Sequence, residues 1–234
     1  TSLQQTFGCE VVEGYGMTET GANIVTPRWG IKKLGSTGLP VPEAEAQVVD
    51  VDDESRMCVI GEIGELWSRS PANTLGYYKQ PDVTAERITP DGWLKTRDLM
   101  SVDEDGYFYF RGRKDDMINV GGENVYPKEI ENVLLSHPAI ADVAVVAAPH
   151  QVKGEAPVAW VVLRTEADES SPDSNEQAIK QFYLKRGPSY AHPRRVFFVD
   201  ELPLTGTNKL DRQWLTAESA RRIPEGIAGG QSGS

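Results

Sequence analysis

Two rhythms of apolar and polar positions divide this chain. Up to Gly112 the apolar stretches are short: AQVVD (46–50), GELWSRS (64–70), WLKT (93–96) and YFYFRG (107–112). Runs of this length, apolar or alternating and bounded by turn residues, predict strands. Asp91-Gly92 and Asp105-Gly106 stand between such runs and are hairpin signals. Four short strands with close turns predict a small barrel or a bent sheet. Residues 82–89 (DVTAERIT) are the one stretch in this part that reads as a short helix.

The rhythm changes after residue 113. PKEIENVLLSH (127–137) places Pro127 at a first helical position and puts Ile130, Val133 and Leu134 on one face. ADVAVVAA (141–148) and PVAWVVLR (157–164) predict strands, as does RRVFFVD (194–200). Asp173 to Glu176 reads as a capping box that opens a helix with Ile179 and Phe182 inward, and DRQWLTAESARR (211–222) reads as a final helix. The expected organisation is a β-rich part over 1–112, a charged hinge at 113–116, a compact α+β domain over 117–222 and a disordered Gly-rich tail over 223–234.

Composition narrows the function. With Lys+Arg 24 against Asp+Glu 35 the net charge is -11, which argues against nucleic acid as a main partner. No apolar run is long enough for a transmembrane helix, and the first residues lack a signal-peptide pattern. Cys9 and Cys58 are lone and far apart, which excludes a disulfide scaffold or a paired-cysteine metal site and fits a reducing, cytoplasmic setting. The chain does not begin with Met, so it reads as processed or as part of something longer. Acidic residues cluster at 43–54 and 166–176, without a base in either. A basic block (Lys180, Lys185, Arg186, Arg194 and Arg195) follows, either a solvated face or a docking surface for phosphate groups.

Three segments carry candidate chemistry. In GYGMTETG (14–21), Tyr15 offers an aromatic face for a base, Thr18 a donor to phosphate and Glu19 a ligand for a divalent cation; the same residues also suit an ordinary turn. Around residues 91–131, Asp98 is a carboxylate able to accept both hydroxyls of a ribose, and Arg113 is a fork donor; a surface ion pair is the plain alternative. Gly121-Gly122 permits close backbone approach or a simple bend. In LPLTGTNKLDRQ (202–213), Lys209 stands on a Gly-containing loop, expected to be flexible, just before a helix. There it either delivers charge to a developing phosphorus transition state or is merely solvated.

Taken together, GYGMTE, the GELW–GYY–DGWLKTRDL stretch, RGRKDDMINVGGENVYPKEIE and LPLTGTNK resemble the signatures of the adenylate-forming superfamily, in its acyl-CoA synthetase branch. The resemblance runs over about residues 10–215. It implies an α/β and α+β fold, with the end of a large N-terminal domain, a small β-barrel-like subdomain and a compact α+β C-terminal lid domain. It implies activation of a carboxylic acid by ATP to acyl-AMP, then transfer to coenzyme A, with Mg²⁺. By similarity Tyr15 stacks on adenine, Thr18 touches phosphate, Glu19 binds Mg²⁺, Asp98 holds the ribose with Arg113, Asp115 is the hinge, Gly122 lines the pantetheine channel and Lys209 bridges carboxylate and α-phosphate.

Two departures stand out. Arg97 occupies a position where the family usually has Gly, and KRGPSYAHPRR (185–195), with His192, replaces a shorter Tyr-Lys-x-Pro stretch. His137, His150 and His192 read as structural. The family's Ser/Thr/Gly-rich phosphate loop would precede Tyr15, so the chain reads as the last portion of a synthetase, without the part that selects the acid. Two other readings compete: a carrier-protein-loading adenylation domain, and a non-catalytic nucleotide-binding or interaction module.

Overall fold

The computed structural model describes residues 2–9, 11, 13–21, 23–26, 33–167 and 174–228. The chain divides into two compact units, Thr1–Asp115 and Asp116–Ser234.

The first unit opens with a short helix, α1 (Ser2–Phe7), and a small antiparallel sheet of β1 (Tyr15–Gly16), β2 (Asn23–Thr26) and β3 (Leu39–Pro40). A four-stranded antiparallel sheet follows, of β4 (Glu45–Val49), β5 (Gly64–Arg69), β6 (Leu94–Val102) and β7 (Phe108–Arg113), paired in chain order. The helix α2 (Pro81–Arg87) lies between β5 and β6 in sequence, with Pro81 at its first turn. Asp105-Gly106 closes the β6–β7 hairpin, Gly106 taking the left-handed backbone at φ 81°. At Asp91-Gly92 only one bridge, Ile88 to Leu94, forms around the turn. Ile24, Val25, Val48, Leu66, Met100 and Phe108 make the core.

The expected barrel does not close. The sheet is open, with β4 and β7 as its edges among the described residues. Beyond β7 only the bridge at Gly38 continues, where Phe108 donates to the Gly38 carbonyl and Thr37 donates to the Phe108 carbonyl, both at 2.9 Å. A single bridge bends a sheet but cannot supply the continuous stagger that closure needs.

β6 is irregular where it matters most. Glu65 stands opposite Leu99, but Trp67 stands opposite Lys95, so β6 carries extra residues at Thr96–Asp98. Arg97 at the centre of this bulge has φ 62°. A bulge of this kind bends the strand and re-aims the side chain that follows.

The second unit contains β8 (Ile118–Val120), β9 (Glu123–Val125), α3 (Pro127–Leu135), β10 (Ile140–His150), β11 (Gly154–Leu163), α4 (Glu176–Leu184), β12 (Arg195–Phe198) and α5 (Arg212–Arg222). β10 and β11 form a long antiparallel hairpin, β12 pairs parallel to β11, and the β8–β9 hairpin joins at Gly154–Val120. Val143, Val145, Ala159 and Val161 pack against Ile130 and Leu134 of α3 and Ile179 and Tyr183 of α4. Ala144, Val146, Ala148, Val158 and Trp160 pack against Leu215 of α5 and Ile223. Cover on both faces explains why these strands read as continuous apolar runs rather than as alternation. Each fully buried Leu or Ile contributes about 1.5–3 kcal/mol.

Three expectations need correction here. The helix α4 is capped by Asn175, whose side chain accepts from Ala178 N–H at 2.9 Å; Asp173 lies outside the described residues. Tyr183, not Phe182, is its fully buried aromatic; Phe182 is half-buried with its ring edge-on to His137. The stretch expected to be a disordered tail begins as bonded structure, with Ile227 N–H donating to the Pro149 carbonyl at 2.8 Å and Ile223 in the core; residues 229–234 lie outside the described set.

Candidate functional site

The bulge in β6 builds the site of the first unit. It delivers Asp98 opposite Arg113 across the β6–β7 ladder. Asp98 is 5% exposed, its Oδ1 lying 2.7 Å from Arg113 Nη1, and the Tyr15 hydroxyl donates to its Oδ2. Burial raises the Asp98 carboxyl above the usual carboxylate range, against the pull of Tyr15 and Arg113. Burial, with Asp98 beside it, pushes the Tyr15 phenol upward, so Tyr15 stays a protonated donor. Asp98 Oδ1 is buried and receives no aligned hydrogen bond although the Arg113 charge is close. It is therefore an acceptor suited to a hydroxyl such as that of a ribose. The Tyr15 contact takes up the other oxygen, and the Tyr15 ring stacks at 6.4 Å with Phe110. Sequence spacing did not reveal either contact.

Arg97 does not point at a ligand space of its own. Its Nε donates to Asp115 Oδ1 at 2.7 Å, Nη2 donates to the same carboxylate, and Nη1 donates to Glu86 Oε1 at 2.8 Å. These bonds to Asp115 hold the guanidinium firmly protonated. Asp115 also lies 3.6 Å from Arg113 Nη2. The result is a chain of alternating charge through Arg97, Asp115, Arg113 and Asp98. Beneath it Glu65, 2% exposed, accepts from Arg97 N–H and from Lys114 Nζ, each at 2.9 Å.

Thr18 and Glu19 sit apart from that network, on a short 3-10 turn, Thr18–Thr20. Thr18 is exposed. The Glu19 carboxylate accepts from Tyr77 hydroxyl at 3.1 Å, and its carbonyl accepts from Thr74 N–H at 2.7 Å. One carboxylate does not make a metal centre, but it fits Mg²⁺ as the single protein ligand of an ion held mainly by phosphate oxygens. Among the described residues, metal-type ligands form a group at Asp50, Cys58 and Glu62. Arg56 occupies it, pairing with both carboxylates, and burial pushes the Cys58 thiol up to about 11. That is an ion-pair cluster, not a cation site.

In the second unit, Gly121 and Gly122 turn the β8–β9 hairpin with φ 65° and 96°. A Cβ at Gly122 would meet nothing within 4 Å, so the glycine answers the backbone angle and leaves open space there. Lys209 is exposed and makes no ion pair among the described residues. Its loop is a tied turn, with Thr205 N–H donating to the Lys209 carbonyl at 2.7 Å and a bridge between Leu204 and Leu210, where a flexible loop was expected. His137 Nδ1 accepts from Ala139 N–H, and His150 Nδ1 from Val152 and Lys153 N–H. Both histidines hold backbone, as expected. The structure thus gathers Tyr15, Asp98, Arg113 and Asp115, leaves Thr18 and Glu19 on a neighbouring turn, and carries Gly122 and Lys209 in the other unit.

Residues 1–78 match the family described as AMP-binding enzyme, and residues 129–209 match the AMP-binding enzyme C-terminal domain. The chain belongs to the AMP-binding enzyme family. It is 40% identical over 220 residues to a 2-succinylbenzoate–CoA ligase of Geobacillus kaustophilus, covering 93% of this chain and 42% of that protein. It is 39% identical over 217 residues to a long-chain-fatty-acid–CoA ligase of Escherichia coli O157:H7, covering 92% and 37%. Among solved structures, O-succinylbenzoate coenzyme A synthetase (MenE) from Bacillus subtilis, in complex with ATP and magnesium ion, superposes with TM-score 0.76 at 33% identity, covering 92% of this chain and 43% of that one. The chain spans about two fifths of the length of the curated relatives it matches.

The chain also holds buried polar residues that sequence reading passed over. Glu65 was the clearest available signal, a carboxylate inside the apolar strand GELW, where burial without partners would be costly. Glu131 is similar: on the inner side of α3, it accepts from Arg212 Nη2 at 2.7 Å and Val145 N–H at 3.0 Å. Arg212 also donates to the Val145 carbonyl and lies 3.2 Å from Asp116. Only tertiary contacts identify those partners.

Proposed function

We propose that the protein is a carboxylic acid–CoA ligase that converts an acid and ATP to acyl-AMP and then passes the acyl group to coenzyme A. The observation that carries the reading is the buried Asp98, opposite Arg113 and beside Tyr15, with one carboxylate oxygen lacking an aligned donor. In this reading Asp98 Oδ1 accepts a ribose hydroxyl, Arg113 balances the buried charge and Tyr15 presents its ring to adenine. Thr18 donates to a phosphate oxygen. Glu19 contributes one ligand to Mg²⁺, which when bound neutralises charge on the phosphates. Lys209, a point charge on a flexible stem, stabilises charge growing on the α-phosphoryl oxygens and holds the acid carboxylate near it. Asp115 is the hinge residue, and Gly122 borders the path of the pantetheine arm. The domain reading follows: 1–112 as the end of the adenylation domain, 113–116 as hinge and 117–222 as lid. The names of the relatives support coenzyme A rather than a carrier protein as the acceptor, and they differ in the acid.

The test compares Asp98→Ala with the parent in the full-length enzyme, by pyrophosphate release with ATP and with 2′,3′-dideoxy-ATP. Loss of a charge-assisted hydrogen bond predicts a penalty of about tenfold to a hundredfold with ATP and little further effect with the dideoxy analogue. Equal use of both nucleotides by the parent enzyme removes Asp98 from the ribose. Thioester formation with free coenzyme A, set against a carrier protein, decides the acceptor.

A further inference from the structure

Beside Thr20 the first unit has a cavity of about 410 Å³. A volume of this order admits a small molecule rather than a single water. Ile24, Val41, Pro42 and Pro71 supply apolar wall, and the polar lining comes from Thr20, Glu43, Ser68 at the end of β5 and the loop that follows it. β5 is buried almost from end to end. Ser68 is 0% exposed there, at a position an apolar side chain would ordinarily fill.

The polar atoms of the lining divide into two kinds. The Thr20 hydroxyl donates to the Met17 carbonyl at 2.8 Å, and Ser70 Oγ accepts from Ala72 N–H at 3.2 Å, so both serve their own turns. Ser68 Oγ and Asn73 Oδ1, by contrast, are buried and have no hydrogen-bond partner. The Asn73 amide is fixed end for end, because its Nδ2 donates to the Ser68 carbonyl at 2.9 Å. Oδ1 is therefore an acceptor. Glu43 is exposed, and its carboxylate makes no ion pair among the described residues. No basic residue lines the cavity, and the adjacent cation, Arg69, is bonded through Nε and Nη2 to Glu45. Buried polar atoms are ordinarily partnered, so two unpartnered oxygens on one cavity call for a ligand that brings hydrogen-bond donors.

We propose that this cavity binds a small primary ammonium compound. Its charged head meets Ser68 Oγ, Asn73 Oδ1 and the Glu43 carboxylate, and its short alkyl body lies against Ile24, Val41, Pro42 and Pro71. An ammonium carries three donors and no acceptor, which answers a lining of acceptors. Glu43 supplies the opposite charge at the exposed rim, and a charge-assisted bond is stronger than a neutral one. An anionic ligand meets no cation in this lining. The site shares no residue with the Tyr15–Asp98–Arg113 cluster and requires no turnover, so it stands or falls independently of the ligase reading.

The experiment titrates the 234-residue chain, followed by amide NMR, with n-butylammonium chloride, 1-butanol, sodium butyrate and potassium chloride at matched ionic strength. Butylammonium is expected to shift the amides of Thr20, Glu43, Ala44, Ser68 and Asn73 saturably. The alcohol should bind about tenfold more weakly or less, and butyrate and potassium should leave these amides in place. Glu43→Gln and Ser68→Ala should each weaken butylammonium binding by about threefold to tenfold. Glu43 is exposed, so its variant keeps the test open should Ser68→Ala disturb folding. The absence of saturable shifts at about 50 mM butylammonium overturns the site. So does equal binding of 1-butanol, the same shifts with potassium chloride, or unchanged affinity in Glu43→Gln.

Discussion

Arg97 offers a test in which the ordinary ranking of two residues should invert. Its φ of 62° is a conformation that costs a non-glycine residue about 1 kcal/mol or more, whatever the side chain. Its guanidinium makes two ion pairs, to Asp115 and Glu86, with the side chains 34%, 43% and 62% exposed. Pairs that exposed return only about 0.2–1 kcal/mol each. Arg97→Ala loses both pairs and keeps the backbone cost, so it should destabilise the first unit by about 0.5–2 kcal/mol. Arg97→Gly loses the same pairs but is released from the cost, less the greater freedom of glycine in the unfolded chain. The glycine variant should therefore be the more stable of the two, by about 0.5–1 kcal/mol, where a regular strand would favour alanine. For a unit of this size the gap corresponds to about 4 °C in melting temperature. Thermal unfolding, with hydrogen exchange at β5–β6 amides to assign the change to this unit, is the assay. An alanine variant as stable as the glycine variant, or more so, would refute the claim that the bulge imposes the left-handed backbone.

Lys209→Ala in the full-length enzyme should cut acyl-adenylate formation by about 10²–10³-fold while transfer from supplied acyl-AMP to coenzyme A changes little; parallel loss of both half-reactions contradicts the proposed role. Glu131→Ala takes the side-chain acceptor from both Val145 N–H and Arg212, which keeps its pair with Asp116, and should cost the second unit about 1–3 kcal/mol in urea unfolding, with Glu131→Gln less severe because an amide oxygen still accepts. Burial holds His150 and His192 below their ordinary value of 6.5. The unfolded chain then binds more protons just below that pH, so stability of the second unit should fall on acidification through 6.5 and be fully present above it. Melting at about pH 8 and pH 5.5 checks the sign, and His192→Asn should shrink the difference.

Much of the second unit was legible in its residues. Pro127 and the spacing of Ile130, Val133 and Leu134 mark α3, and the long apolar runs mark β10 and β11 as strands covered on both sides. Local preference and burial point the same way there, so the pattern suffices. The strands of the first unit were legible too, but whether they close was not, because closure depends on stagger between edges far apart in sequence. Motif resemblance singled out Asp98, Arg113 and Tyr15 one at a time. That Asp98 faces Arg113 follows from a register spanning the β6–β7 hairpin, and that Tyr15 bonds to Asp98 from a contact across 83 residues. Arg97 shows the division most clearly. The sequence by itself marked it as out of place, a large cation where a glycine was expected. Only the tertiary structure decided what that cation does, because the extra residues in β6 turn its backbone to positive φ, and Asp115 and Glu86, from outside that strand, come within reach of its fork.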